Sequence, residues 1–355
     1  MDYKDNIIIT SLPDENDKID GSTNKPKIRH DKIIKLFRDK GGFSMMIPKM
    51  ELTHTMLENL NVHKSDYLEF LRDSYVSFKD NYDADFDPNK DGGLIPYYFS
   101  NRILNTRTKL PMWKKAGYYC TDVTTPIYEN TYKNSMMSAN ISYVAAKFID
   151  NYNLIYCLNM YPGHHASSDQ MGGYCYLNNA AICAKQYQQR NAKNKIKPKV
   201  AILDLDYHAA QGTQEIFYDD PTVYNISIHA DPYYDYPNQC FEDELGDNEG
   251  VGYNKNIIFS KQVKGDEYLD IVKQAITIIN NFDPELVIIP FGGDTFKLDK
   301  DPSRLYTASL ELEDYYDIGQ ELKKINRKMI ITQEGGYDME NISKIVDNFI
   351  SGIIS

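Results

Sequence analysis

From residue 154 onward, short runs rich in Val, Ile and Leu alternate with amphipathic stretches long enough for helices. No other feature of the 355-residue chain constrains its fold as tightly. Strands are expected over 154–158, 199–205, 223–228, 286–290 and 328–332, and helices over 178–189, 267–280 and 311–324. Strand–helix–strand units of this kind build a parallel sheet with helices on both faces. In such sheets ligands bind beyond the carboxyl ends of the strands. The chemically distinctive residues of this chain fall at those ends.

The first half reads differently. Over residues 1–30 a short apolar run, Ile7-Ile8-Ile9, precedes a polar stretch through Asn24, which predicts an edge strand and a loose segment. A single catalytic domain is expected over 31–355. Residues 31–80 read as helical, with 66–71 the clearest amphipathic piece. Residues 81–111, rich in Asp, Asn, Gly, Pro and Tyr, read as long loops, and 134–149 as a helix. Hydrophobic residues make up 42% and charged residues 25%, close to globular averages, so a large buried core is expected.

Composition also excludes some functions. A net charge of −12 argues against direct nucleic-acid binding, which needs a basic face. Five cysteines, an odd number without a Cys-x-x-Cys pair, fit reduced thiols better than disulfides or a thiolate zinc site. No run approaches the roughly 18 apolar residues of a membrane-spanning helix, and the N-terminus lacks a signal-peptide pattern. The expectation is an intracellular, cytoplasmic protein with no membrane partner, a nuclear location being compatible. A homodimer is left open.

Two segments carry the candidate metal ligands. The first is Val200-Ala-Ile-Leu-Asp204-Leu-Asp206-Tyr-His208, and the second Leu286-Val-Ile-Ile-Pro-Phe-Gly-Gly-Asp294. Residues two apart on a strand share a face, so Asp204, Asp206 and His208 share an orientation. Fully extended, the outer two would lie roughly 13 Å apart. Asp206 and His208 can therefore share one ion, with Asp204 a buried carboxylate behind them. Asp294, freed by Gly292-Gly293, can complete the set. Two carboxylates, one imidazole and an open position suit a catalytic zinc. Acidic residues at strand ends also cap helices and bind loops, and that plainer role stands for either segment taken alone.

Pro162-Gly-His164-His165-Ala166 follows another strand. Adjacent histidines in a glycine-containing loop can face one small site and move protons near neutral pH. Two hydrogen-bonded loop histidines are the plainer alternative. Gln333-Glu334-Gly335-Gly336-Tyr337 follows the last strand, and its glycines permit a turn that aims the Tyr337 phenol at a developing oxyanion.

Taken in order, these motifs resemble the histone deacetylase and acetylpolyamine amidohydrolase superfamily of zinc-dependent deacetylases. The likeness covers roughly residues 60–345. It rests on 62–67, 162–166, Gly172-Gly-Tyr-Cys-Tyr-Leu-Asn-Asn179, 204–208, 212–221, 293–295 and 334–337. His229-Ala-Asp-Pro232, and Asp294-Thr-Phe296 with Asp301-Pro302, look closest to the acetylpolyamine amidohydrolase-like branch. The resemblance implies the three-layer arginase–deacetylase α/β fold, a central mostly parallel sheet with helices on both faces. It implies removal of an acetyl group from a lysine-like amine, either acyl-lysine in protein or an acetylated polyamine or small amine. Zinc would be held by Asp206, His208 and Asp294. His164 and His165 would handle protons, with His165 the base, and Tyr337 would polarise the carbonyl. Asp204 would orient His164 and, with Ser227 and the backbone of Asp206 and His208, bind a structural potassium. Tyr174, Tyr236 and Gly173 would line the substrate tunnel.

The chain departs from that pattern after His208. Where the family continues His-Gly-Asn or His-Gly-Asp, this chain reads Ala209-Ala210-Gln211, and Gln211 occupies the place of the partner of the second histidine. Polyamine-specific relatives carry acidic residues flanking the segment that matches 117–120, and here their places hold other residues. A non-catalytic, zinc-binding homologue that binds an acyl ligand or a protein is therefore the alternative. An arginase-type two-manganese hydrolase is a third reading, for which the chain carries only part of one motif.

Overall fold

Among the described residues, eight strands form one sheet, each pairing parallel to its neighbours. They are β1 (Asn6–Thr10), β2 (Ser44–Met46), β3 (Leu154–Leu158), β4 (Val200–Asp204), β5 (Val223–Ala230), β6 (Asn254–Phe259), β7 (Leu286–Phe291) and β8 (Met329–Gln333). Their spatial order is β2-β1-β3-β8-β7-β4-β5-β6. The helices are α1 (Lys25–Lys40), α2 (His54–Asn59), α3 (Ser65–Asn81), α4 (Ala116–Tyr119), α5 (Thr131–Phe148), α6 (Asn179–Asn191), α7 (Gln211–Phe217), α8 (Gly265–Phe282), α9 (Leu312–Lys323) and α10 (Ile342–Ile354). This computed structural model describes residues 6–10, 25–40, 44–81, 92–102, 109–259, 262–301, 304 and 308–355.

The sheet separates two cores, and the two-residue strand period assigns side chains to each. Ile7, Ile9, Ile155, Cys157, Val200, Ile202, Leu286, Ile288 and Ile330 point into the core completed by α2, α3, α5 and α6. Their neighbours Ile8, Tyr156, Ala201, Leu203, Val287, Ile289 and Ile331 point into the other, completed by α1, α8, α9 and α10. Both faces are covered, which is why these strands are apolar at nearly every position.

Several expectations change. The strand around Ile7 is not at an edge: β1 pairs with β2 on one side and β3 on the other. It therefore belongs to the sheet of the main domain, and its residues are buried. The polar segment after it lies outside the described residues, as does part of the loop region 81–111. β6 is not among the expected strands, because the polar residues Asn254, Lys255 and Asn256 interrupt its apolar pattern. Its two buried amides donate to Gln214 Oε1, each at 2.9 Å, and so tie this end strand to α7. Among the described residues, no helix is long and apolar enough to cross a membrane.

Strand order decides where chemistry can occur. The chain places β3, crosses to β4, moves outward through β5 and β6, then returns to insert β7 and β8 between β4 and β3. The carboxyl ends of β3, β8, β7 and β4 consequently stand side by side at the centre, where successive connections diverge and leave a crevice.

Candidate metal centre and catalytic site

β4 ends at Asp204, so the strand alternation expected to run through His208 stops there. Two side-chain-to-backbone turns replace it. Asp204 Oδ1 accepts from the Asp206 N–H and Asp206 Oδ1 from the His208 N–H, both at 3.0 Å. Such turns are the local preference of aspartate, and they bend the segment back over the sheet. From β7 the chain passes Gly292 and Gly293 to Asp294, whose Oδ1 accepts from the Tyr207 N–H at 3.0 Å.

Asp206, His208 and Asp294 thereby converge, each offering one ligand atom within 4.8 Å of the others. His208 Nδ1 stands 3.2 Å from Asp206 Oδ1 and 3.4 Å from Asp294 Oδ2. All three side chains are buried. Asp294 Oδ2 has no hydrogen-bond partner among the described residues, and an orphaned carboxylate oxygen is expensive unless a cation meets it. Burial and the charge of Asp206 push Asp294 above the usual carboxylate range. Burial works against a charge on Asp206, but His164 and His208 outweigh it and hold that group low. Burial likewise opposes a charge on His208, while the neighbouring Asp206 and Asp294 carboxylates drive its pKa well up. Packed carboxylates with one orphaned oxygen and an imidazole fit a divalent cation of the zinc type.

Backbone approaches the centre closely on one side. Gly335 N donates to Asp206 Oδ2 at 2.8 Å. A Cβ on Gly335 would lie 2.5 Å from Asp294 Oδ2 and 2.7 Å from Asp206 Oδ2. Only glycine leaves that cradle open.

The histidine pair sits beside the centre, its ring centroids 3.9 Å apart. His164 Nδ1 faces Asp204 Oδ2 at 3.2 Å, and its Nε2 lies 3.7 Å from Asp206 Oδ1. His165 Nδ1 faces Gln211 Oε1 at 2.7 Å. These surroundings drive the two imidazoles apart. Burial opposes a charge on His164, but Asp204 and Asp206 raise its pKa to about 10. Burial, His164 and His208 lower His165 well below its ordinary value. The carboxylates thus favour the charged form of His164, while burial and its cationic neighbours favour the neutral form of His165.

Aromatic walls rise above the pair. Tyr236 packs edge-on against His165 with centroids 4.9 Å apart. Gly173 adopts φ +53°, and a Cβ there would lie 2.2 Å from His165 Cδ2, so its backbone lies against the imidazole. Tyr174, at φ 64°, is 42% exposed at the rim. Tyr337 is held through its backbone, and burial and the Asp301 charge drive its phenol pKa well up. Ser227 pairs with Asp204 in the β4–β5 register, and its hydroxyl lies 2.8 Å from His229 Nδ1.

Three acids to which the sequence reading gives no role tie these parts together. Asp122 Oδ2 accepts from Gly173 N at 2.7 Å, Thr125 Oγ1 at 3.1 Å and the Tyr236 hydroxyl at 3.3 Å, joining both walls. Asp299 Oδ2 accepts from the N–H groups of Tyr337 at 2.6 Å and Asp338 at 2.9 Å. Glu334, wholly buried, accepts from the backbone of the histidine loop, and burial pushes it up to about 7 despite His164 nearby. The available signal was an acid immediately after an apolar strand for Glu334, and three acids within eight residues for Asp299.

The histone deacetylase domain family matches residues 24–353. The chain is 32% identical to acetylpolyamine amidohydrolase 2 of Pseudomonas aeruginosa over 82% of its own length and 80% of that protein. It is 28% identical to the acetylpolyamine amidohydrolase of Mycoplana ramosa, covering 90% and 89% of the two chains. The crystal structure of the acetylpolyamine aminohydrolase from Burkholderia pseudomallei superimposes with a TM-score of 0.84 over 98% of both chains, at 28% identity. Its sheet, its site and these likenesses together establish that the chain belongs to the histone deacetylase domain family.

Proposed function

We propose that the protein is a zinc-dependent amidohydrolase that removes the acetyl group from an acetylated amine, a polyamine or a lysine side chain. The observation that carries this reading is the orphaned Asp294 Oδ2, gathered with Asp206 and His208 beside the stacked pair His164 and His165. A zinc ion held by those three residues would polarise the amide carbonyl and lower the pKa of a water molecule. His165 donates Nδ1–H to Gln211, leaving Nε2 to take the proton from the attacking water. Its ring then delivers that proton to the amine nitrogen as the C–N bond breaks, so water and amide become acetate and amine. His164, held as imidazolium by Asp204 and Asp206, offsets the carboxylate charge. The Tyr337 phenol, kept protonated by its surroundings, donates a hydrogen bond to the carbonyl oxygen. Tyr174, Tyr236 and Gly173 form the walls along which the alkyl chain of the substrate lies.

Asp204, Ser227 and the carbonyls of Asp206 and His208 form the proposed potassium cradle, which would brace the turn after β4. Five buried free cysteines fit a reducing, intracellular setting such as the cytoplasm. The alternative of a non-catalytic homologue rests on Ala209-Ala210-Gln211, and the 2.7 Å contact of Gln211 with His165 weakens one part of that motive.

Purified protein supplied with equimolar zinc should hydrolyse acetylated polyamines or acetyl-lysine peptides, and a hydroxamate should inhibit it. A folded, zinc-loaded protein inert toward both panels would end the deacetylase reading.

A further inference from the structure

The loop that carries the histidine pair has little backbone bonding of its own. Ala166 N donates to Gly163 O at 3.0 Å, whereas the N–H groups of Gly163 and His164 find no backbone acceptor among the described residues. Both are buried, so an acceptor must come from elsewhere. Glu334 supplies it from the end of β8: Oε2 accepts from Gly163 N at 2.5 Å and from His164 N at 3.2 Å. Its other oxygen, Oε1, accepts from Thr332 Oγ1 at 3.0 Å, which fixes the carboxylate plane. The next residue, Gly335, donates its N–H to Asp206 Oδ2 at 2.8 Å. One dipeptide thus grips the histidine loop with its side chain and a metal-binding carboxylate with its backbone.

We propose that Glu334 is a positioning residue, whose carboxylate locks the Gly163–His164 backbone in register with Asp206 and so aims both imidazoles at the reacting centre. The proposal rests on the deacetylase reading and deepens it. A competing use of Glu334 exists on paper, because His164, Cys175 and Glu334 each offer an atom within 4.8 Å of the others. The chemistry disfavours an ion there. The Glu334 oxygens already accept three hydrogen bonds, His164 Nδ1 faces Asp204, and burial drives the Cys175 thiol well up.

Three variants separate position from charge. Glu334→Ala removes the acceptor. Glu334→Asp keeps the charge but withdraws the oxygens by about one bond length, ~1.5 Å. Glu334→Gln removes the charge but keeps an oxygen within reach of both N–H groups. The Ala and Asp variants should lose about 10–100-fold in kcat, the scale of a misplaced reacting group, with KM little changed. Both should keep one zinc per chain and show faster amide exchange at residues 163 and 164. Glu334→Gln should recover most of kcat and the slow exchange. Wild-type kcat in the Asp variant would overturn the proposal. So would equal impairment of Asp and Gln, which would point to the carboxylate as such, or zinc loss in step with activity, which would point to ligand placement. If the wild-type protein turned over no acetylated amine, the deacetylase reading would fail. Amide exchange would still decide whether Glu334 holds the loop.

Discussion

His165 Nδ1 and Gln211 Oε1 lie 2.7 Å apart, a hydrogen bond that replaces the imidazole–carboxylate or imidazole–asparagine pair expected at that place. Gln211 begins α7, so its longer side chain approaches the ring from a fixed helical start. The amide oxygen accepts Nδ1–H and selects the tautomer with a basic Nε2. Gln211→Leu should therefore lower kcat by about 10–100-fold while zinc content stays at one per chain, the range typical when a supporting hydrogen bond is lost. Restoring His-Gly-Asn at 209–211 should change kcat little. A large gain in that revertant, measured by steady-state kinetics, would mean that Gln211 is a damaged partner rather than an adequate one.

Asp206 and Asp294 crowd two carboxylates around one imidazole, so cation binding should stabilise the fold as well as activate it. Adding zinc at a thousandfold excess over its dissociation constant should contribute about 4 kcal/mol to unfolding free energy. Asp294→Ala should abolish that increment. Calorimetry with and without a chelator gives the answer, and an increment unchanged in the variant would remove Asp294 from the ligand set.

Gly335→Ala tests the closeness of the backbone to the centre. Its new Cβ would fall 2.5 Å from Asp294 Oδ2 and 2.7 Å from Asp206 Oδ2, so both carboxylates must move. Zinc stoichiometry measured by elemental analysis should fall sharply. Full occupancy with normal affinity would show the cradle to be roomier than described.

Tyr337→Phe removes one hydroxyl and leaves the ring. Loss of a donor to a developing oxyanion typically costs about 100–1,000-fold in kcat, and the thermal midpoint should barely move. Asp299→Ala should lower kcat in the same direction, because Asp299 holds the N–H groups of Tyr337 and Asp338. Kinetics of the two single variants and the double variant decide: full additivity would separate Asp299 from the phenol.

His63, which bonds backbone just past the histidine pair, should make stability depend on pH. Its Nδ1–H donates to Ser167 O at 2.8 Å and its Nε2 accepts from Asn178 N–H at 2.9 Å, an arrangement open only to the neutral ring. Burial lowers its pKa from 6.5 to about 4, against the pull of its bonds to Ser167 and Ser168. The unfolded chain therefore binds more protons between those values, and stability falls as pH drops from 6.5 toward 4, by up to about 3 kcal/mol. His63→Gln keeps a donor and an acceptor but does not titrate. Urea unfolding across that range should show a shallower slope in the variant, and identical slopes would dismiss the assignment.

Much of the fold is legible along the chain because the strands are buried on both faces. Runs such as 200–204 and 286–291 are apolar at nearly every position, and no loop needs that. β6 hides because its Asn254 and Asn256 satisfy their amides with Gln214, a partner 40 residues away for Asn254 and 42 for Asn256. The segment at Ile7 announces a strand, but nothing local says that β2 will cover its outer side.

The site divides the same way. Sequence alone determined which residue types stand at the strand ends: the Asp204–His208 run, Asp294 after two glycines, the histidine pair and the Glu-Gly-Gly-Tyr turn. Tertiary structure decided their meeting. Insertion of β7 and β8 between β4 and β3 brings four distant strand ends together, and turns after Asp204 fold the ligands back over the sheet. It also decided the parts played by Asp122, Asp299 and Glu334, each of which binds backbone from another segment. A hydrogen bond to a peptide N–H leaves no mark on the identity of the residue that donates it, so only the folded chain reveals such partners.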